Sequence, residues 1–372
     1  MKEKAAAFVK KELVFCISLL LALASMAFAP PSAAYLSYID WHTILLLFCL
    51  MAVAAGFSRS GLLGALSRAI AGRAGSLRGL AALLTLLTFF SSMAVTNDVA
   101  LLAFVPLTLA VLKGNVSEGR LAAVLVLQTA AANLGSMATP VGNPQNLYLY
   151  SQYSMGFEEF FPTVLPIAGV SLALLLLACL CVGASPLAIS FPEKKEALPA
   201  GKCAVYGVLF LLCLLSVFRL LPDAVTLAAV LLAALAMDRR VLGQVDYFLL
   251  LTFLCFFVFA GNLQQLDAAA QAISSAMAGR EFLVSAAVSQ VVSNVPAAVM
   301  LSAFTENGRA LLAGVNVGGL GTPVASLASL ITLKLYLNSP GARAGRYLAL
   351  FLTVNFILLF LLGTFVLVAG LA

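Results

Sequence analysis

Thr96, Asn97 and Asp98 form a hydroxyl, an amide and a carboxylate in a row, inside the apolar run SSMAVTNDVALLAFVPL that begins at Ser91. Such a triplet can hydrogen-bond an oxyanion, and its carboxylate can hold a proton or a Na⁺ ion. A carboxylate at bilayer depth costs roughly 2.5–3.5 kcal/mol on insertion scales, so it is placed there for function or kept from lipid by protein. A second polar pair, Ser293-Asn294, sits in the apolar run VVSNVPAAV. Two further stretches combine Gly and Pro: Gly135-Ser136-Met137-Ala138-Thr139-Pro140-Val141-Gly142-Asn143 and Gly318-Gly319-Leu320-Gly321-Thr322-Pro323-Val324-Ala325-Ser326. Proline cannot donate an N–H and clashes with the turn before it. Unwinding there frees carbonyls that can coordinate Na⁺ and N–H groups that can hold an anion. Such backbone survives at membrane depth only when buried in protein or facing a water-filled cavity.

Only an integral membrane fold positions these groups. The 372 residues are 63% hydrophobic and 10% charged, with a mean hydropathy of +1.08. Long apolar runs satisfy their backbone as helices. We therefore expect an all-α polytopic membrane protein with crossings near 12–29, 41–58, 120–153 (broken), 160–183, 203–220, 223–238, 246–265, 309–336 (broken) and 345–371. Residues 79–112 and 282–305 read as pairs of half-length apolar arms around the polar tips, that is, as re-entrant hairpins. With a cytoplasmic N-terminus and an external C-terminus, 18 of the 21 Lys and Arg residues fall inside, leaving Arg219, Arg280 and Arg309 outside. That is the positive-inside bias. It explains the net charge of +6 and removes any reason to invoke nucleic acid. Counting either hairpin as a full crossing would put Lys194, Lys195, Arg239 and Arg240 on the wrong face. The start, KKELVFCISLLLALASMAFAP, reads as a cleavable leader ending at Ala27-Phe28-Ala29 or as an uncleaved first span; we take the second reading. The seven cysteines have no metal or disulfide spacing and read as packing residues.

The polar stretches recur in the same order in two halves. Asp40 and Asp246 each open a long apolar span as a helix cap. Each span leads to an amphipathic segment (59–78, 266–280), then a hairpin with Asn at its tip, then a Gly/Pro-broken helix. The boundaries are an N-terminal span and loop (1–39), repeat 1 (40–183; hairpin 79–112, broken helix 120–153), a cytoplasmic linker (184–202), linking spans (203–245) and repeat 2 (246–372; hairpin 282–305, broken helix 309–336). The charge-derived topology opens the two hairpins to opposite sides, so the halves are inverted. Inverted repeats with broken helices are the pattern of secondary transporters.

The tips TND and SNVP with the breaks ATPVGNPQN and GTPVAS resemble the ion transporter superfamily of anion–sodium symporters, citrate carriers, arsenite permeases and sodium–proton antiporters. The motif order most resembles its short YbiR-type bacterial inner-membrane members. The resemblance implies a transporter in the inner membrane that moves a small anionic solute, coupled to Na⁺ or H⁺. It implies an elevator motion, a homodimer, and no cofactor or metal beyond Na⁺ as a coupling ion. It assigns substrate contacts to Thr96, Asn97, Asn143, Ser293, Asn294 and Thr322. It assigns ion binding or coupling to Asp98, Thr139, Gly142, Asn146, Gly321, Ala325 and Ser326. Asp98 and Val295 depart from the Ser-Asn-Thr tips of the dicarboxylate branch; Asp98 matches the acid of the arsenite and sodium–proton branches.

Each residue also has a plainer reading. Asp98 could cap a helix by accepting N–H bonds from residues 100–101, and Asn97, Asn294, Asn143 and Asn146 could serve only to satisfy backbone. Ser326 and Ser329 suit helix packing. Gln128 and Asn133, on the approach to the first break, either line the cavity or bond to a neighbouring helix. His42 reads as an interfacial residue. Three functions compete: an anion transporter, a Na⁺/H⁺ antiporter of the same fold, and an intramembrane enzyme or a sensor. No HExxH, paired intramembrane acid or Ser–His arrangement supports an enzyme, and we expect no catalytic residue.

Overall fold

The computed structural model describes residues 12–71, 74–186 and 200–371. Lys2, Lys4, Lys10, Lys11, Arg73, Lys194 and Lys195 of the charge pattern, and most of the 184–202 linker, lie outside them. The described chain is helical, with a single isolated bridge between Ser76 and Pro186. Among the described residues six helices are long and apolar enough to cross a bilayer, and five shorter apolar helices accompany them.

The first half begins with α1 (Leu13–Ser25) and a short turn of helix, α2 (Tyr35–Tyr38). It continues with α3 (Trp41–Arg59), the amphipathic α4 (Leu62–Ala71), α5 (Leu77–Val95) and α6 (Asn97–Leu112), then α7 (Glu118–Ser136), α8 (Pro144–Gln152) and α9 (Phe157–Cys179). Two spans, α10 (Ala200–Val217) and α11 (Asp223–Met237), connect to the second half. There the order repeats as α12 (Tyr247–Gln264), α13 (Asp267–Met277), α14 (Glu281–Val292), α15 (Asn294–Ser302), α16 (Gly308–Gly318), α17 (Leu327–Leu337) and α18 (Ala344–Val368). The two entry helices start alike. Asp40 accepts the Thr43 N–H at 3.1 Å, and Asp246 accepts the Leu249 N–H at 2.9 Å. Both carboxylates thus satisfy an orphan donor of a first turn, at the positive end of the helix dipole.

Helix directions follow from two side-chain contacts. At the start of α3, His42 Nδ1 lies 2.7 Å from Asp223 Oδ2 at the start of α11. At the other end, Arg59 Nε lies 2.7 Å from Asp238 Oδ2, just past α11. So α3 and α11 run parallel, tied at both ends. His42, expected as an ordinary interfacial residue, is one of those ties. The Arg59 hydrogen bond also holds the Asp238 carboxyl below its ordinary range. The start of α5 and the start of α7 meet the same residue: the Ser185 carbonyl accepts the Leu77 N–H at 3.0 Å and Ser185 Oγ accepts from Arg120 Nη1 at 3.2 Å, so segment 77–112 returns to the end of the molecule it left. It does so as a hairpin, with α5 packed on α6, and α14 packs on α15 in the same way. One arm differs from expectation. The helix α5, read as half-length, runs 19 residues and is long enough to cross a bilayer by itself.

The halves interlock. Each hairpin lays its first arm along the broken helix of its own half, α5 on α7 and α14 on α16. Each lays its second arm on the other half's broken helix, α6 against α17 and α15 against α8. Glycine makes the close approach possible. A Cβ on Gly135 would lie 2.2 Å from the Phe89 carbonyl oxygen, and one on Gly318 would lie 2.7 Å from Ala286 Cα.

Candidate functional site: two hairpin tips on two helix breaks

The tips share one backbone conformation. Thr96 has φ 71° and ψ 154°; Ser293 has φ 78° and ψ 154°. That region belongs to glycine and costs a side-chain-bearing residue ~1–3 kcal/mol, so it persists only where surrounding contacts enforce it. Those contacts match across the halves. Thr139 Oγ1 in the first break donates to the Met93 carbonyl at 2.5 Å, and Thr322 Oγ1 in the second donates to the Gln290 carbonyl at 2.8 Å. Both carbonyls stand three residues before their tip. The Asn97 N–H donates to the Gly142 carbonyl at 3.2 Å, and Ser293 Oγ donates to the Ala325 carbonyl at 3.4 Å. Gly142 and Ala325 hold the same place in their breaks. Helices α6 and α15 begin directly after the tips, and α8 and α17 directly after the breaks. Four helix N-termini, each with partial positive charge, therefore border the site.

Amides knit the centre together. Asn143 caps α8 by accepting the Asn146 N–H at 2.9 Å, and its Nδ2 donates to Ser136 Oγ at 3.1 Å and to Asn316 Oδ1 at 3.2 Å. Asn316 Nδ2 donates to Asn146 Oδ1 at 2.6 Å. Asn146 Nδ2 donates to the freed carbonyls of Met137 (2.9 Å) and Thr139 (3.0 Å). Asn133 Oδ1 accepts Asn97 Nδ2 at 3.3 Å and Ser326 Oγ at 2.8 Å. In the second break Gln290 plays the part of Asn146: its Nε2 donates to the carbonyls of Gly318 (2.8 Å) and Leu320 (3.0 Å). Its Oε1 accepts the Thr322 N–H at 2.9 Å, and Gly321, at φ +97°, leaves it room.

Asp98 differs from its neighbours. It stands in the first turn of α6, whose N-cap residue Thr96 makes no side-chain cap, and its Oδ1 is buried without a hydrogen-bond partner among the described residues. Asp98 lines a cavity of about 750 Å³ together with Thr96, Val141 and Asn143. The cavity extends past Leu47, Leu50 and Met51 of α3 to Ser58 and to Gly243–Asp246, the end of the molecule that carries the Arg59–Asp238 pair. The tip of the second half is closed. Ser293 and Asn294 are buried, and Val295, at the place of Asp98, belongs to the apolar core.

The structure thus gathers all the expected site residues around the tips and breaks. Thr96, Asp98 and Asn143 reach the cavity. Asn97, Asn146, Ser293, Asn294, Ala325 and Ser326 lie in the buried network, Thr139 and Gly142 tie the first tip, and Gly321 and Thr322 dock on Gln290. Sequence reasoning missed Asn316 and Gln290. Asn316 carried a signal: it stands two residues before Gly318, as Asn133 stands two before Gly135.

A family model described as citrate transporter (CitMHS) matches residues 5–312. The inner membrane protein YbiR of Escherichia coli K12 is 34% identical over 316 residues, which cover 83% of this chain and 82% of that protein. An uncharacterised transporter of Methanocaldococcus jannaschii is 36% identical over 315 residues, covering 83% and 84%. The crystal structure of the Alcanivorax borkumensis YdaH transporter, described as having an unusual topology, is similar over 97% of this chain and 99% of its own, with a TM-score of 0.57 at 14% identity. That likeness is one of fold.

Proposed function

This chain belongs to the citrate transporter family, and from that premise we propose that it is a secondary active transporter of a small carboxylate or oxyanion, driven by Na⁺ or H⁺ bound at Asp98. That it is a multi-pass membrane transporter follows from the family and the fold. The solute and the coupling ion are the proposal. One observation carries it: a carboxylate oxygen buried without a partner at the end of a cavity. An unpaired buried charge is strongly unfavourable, so Asp98 takes up a cation or a proton. The four helix N-termini around it favour an anion. Neutralising Asp98 removes the repulsion that this anion would meet. Cation and anion then bind better together than apart, which is the thermodynamic content of symport.

Alternating access is proposed as an elevator: hairpins and broken helices move as one unit against α1, α3 and α10–α12. The interlocked packing of arms on breaks supports a single moving body. With a cytoplasmic N-terminus, the cavity mouth at Ser58 and Gly243–Asp246 faces inward, so this conformation is the inward-facing one. A homodimer through the stationary spans belongs to the same proposal, and light scattering of the purified protein tests it.

Uptake of labelled citrate, succinate and phosphate into proteoliposomes, under imposed Na⁺ and pH gradients, tests the coupling. Uptake that follows one of the gradients supports it; uptake indifferent to both defeats it. One observation favours a Na⁺/H⁺ antiporter as a second reading. Among the described residues the cavity lining includes Glu12, Asp98 and Asp246 but no Lys, Arg or His. Adding Na⁺ to everted vesicles loaded with a pH dye would then release protons without any anion present, and Asp98→Asn would abolish the signal.

A further inference from the structure

We propose that Asn133 is a direct solute ligand, donating a side-chain N–H to an oxygen of the transported anion beside the cation at Asp98; the assignment rests on the anion-transport reading above. Asn133 lies in the last turn of α7 and is 5% exposed. Its Oδ1 accepts two hydrogen bonds, from Asn97 of the first tip and Ser326 of the second break. Its Nδ2 is buried and has no partner among the described residues. An amide N–H withdrawn from water and left unpaired is unfavourable by its whole lost hydration, so the arrangement calls for an acceptor from outside the protein.

The matched residue of the other half shows that the fold does not require this opening. Asn316 has the same register before its break, yet its amide is fully engaged. Its Oδ1 accepts from Asn143, and its Nδ2 donates to Asn146 Oδ1 and, at 2.9 Å, to the Leu312 carbonyl. Asn316 is a knot; Asn133, equally placed, keeps one buried donor unpaired among the described residues.

The open donor has a complementary neighbour. Asn97 bridges the two residues, its Nδ2 to Asn133 Oδ1 and its Oδ1 accepting the Asp98 N–H at 2.9 Å. Both residues that Asn97 joins carry an unpaired atom among the described residues: an acceptor, Asp98 Oδ1, and a donor, Asn133 Nδ2. A cation alone completes the first and leaves the second unpaired. An anion alone completes the second but meets the charge of Asp98. A cation with an oxygen-bearing anion completes both. The ligand class is therefore a carboxylate or oxyanion bound through oxygen. An ammonium solute would leave Asn133 Nδ2 unpaired.

The test measures anion affinity of the purified full-length protein by thermal shift with citrate, succinate and inorganic phosphate, in Na⁺ at fixed pH. Asn133→Asp keeps the acceptor that Asn97 and Ser326 use but replaces the donor with oxygen. Asn133→Leu removes both at similar size. If wild type is stabilised by a member of this panel, Asn133→Asp weakens that affinity about 10- to 100-fold, as expected for loss of a hydrogen bond to a charged group. Its response to Na⁺ alone is retained, because Asp98 is intact. Should Asn133→Leu not fold, Asn133→Asp still decides the matter. A purely structural role would lower the melting temperature without ligand and leave anion affinity within about twofold of wild type; that result overturns the assignment alone. If no anion of the panel stabilises wild type, the anion reading and this assignment fall together.

Discussion

At the scale of single residues, the functional claim rests on two kinds of exception. One is chemical: among the described residues Asp98 Oδ1 and Asn133 Nδ2 lack partners in a centre where the neighbouring amides are bonded. The other is conformational: Thr96 and Ser293 adopt a backbone that glycine would adopt freely. From the first we predict competition. A proton neutralises the carboxylate that would bind Na⁺, so Na⁺ affinity falls as pH falls. Na⁺ titrations followed by thermal shift at several pH values check this, and Asp98→Asn removes the pH dependence. From the second we predict that Thr96→Gly and Ser293→Gly leave the melting temperature unchanged or raise it, by up to ~1 kcal/mol of stability, because strain is released. The same variants lower transport, since tip hydroxyls are lost. Thr96, Asn97 and Asp98 were legible because a polar triplet interrupts an apolar run. Asn316 and Gln290 were not, because one buried amide in a helix looks like any packing residue until its partners, 170 to 173 positions away for Asn316, are known.

At the scale of elements, the breaks work only because the hairpin arms reach them closely. Gly135→Ala would push a methyl group to 2.2 Å from a backbone oxygen of α5, and Gly318→Ala one to 2.7 Å from a backbone carbon of α14. Neither neighbour is a flexible side-chain end. We predict a loss of ~1–3 kcal/mol for each, read as a fall in melting temperature. Gly207→Ala in α10, where a methyl group meets nothing within 4 Å, is the control and stays near wild type. Hydropathy made the helices legible, since apolar runs at membrane length have few other solutions. The Gly/Pro stretches made the breaks legible, since proline removes a donor at a fixed place. The length of α5 was not legible. Polar Thr96–Asp98 suggested two half-length arms, yet Leu77 to Val95 continue as one helix, with Gly79 confined to its first turn and no proline inside it.

At the scale of the whole molecule, the contacts of Leu77 and Arg120 with Ser185 bring segment 77–112 back to the end it left, as the basic-residue pattern expects. The inverted topology built on that return predicts a cytoplasmic N-terminus and an external C-terminus. A reporter active only outside the cytoplasm, fused after residue 372, should be active; the same reporter in the 184–202 linker should be silent. In cysteine-free protein, Val99→Cys at the cavity wall should react with a membrane-impermeant thiol reagent from the cytoplasmic side. The most direct test of the central claim compares wild type with Asp98→Asn in the same proteoliposome uptake, with and without the driving gradient. The account predicts that wild-type uptake rises with an inward Na⁺ or H⁺ gradient and that Asp98→Asn, folded to the same melting temperature, does not respond to it. A variant that follows the gradient as wild type does would contradict the account at its centre.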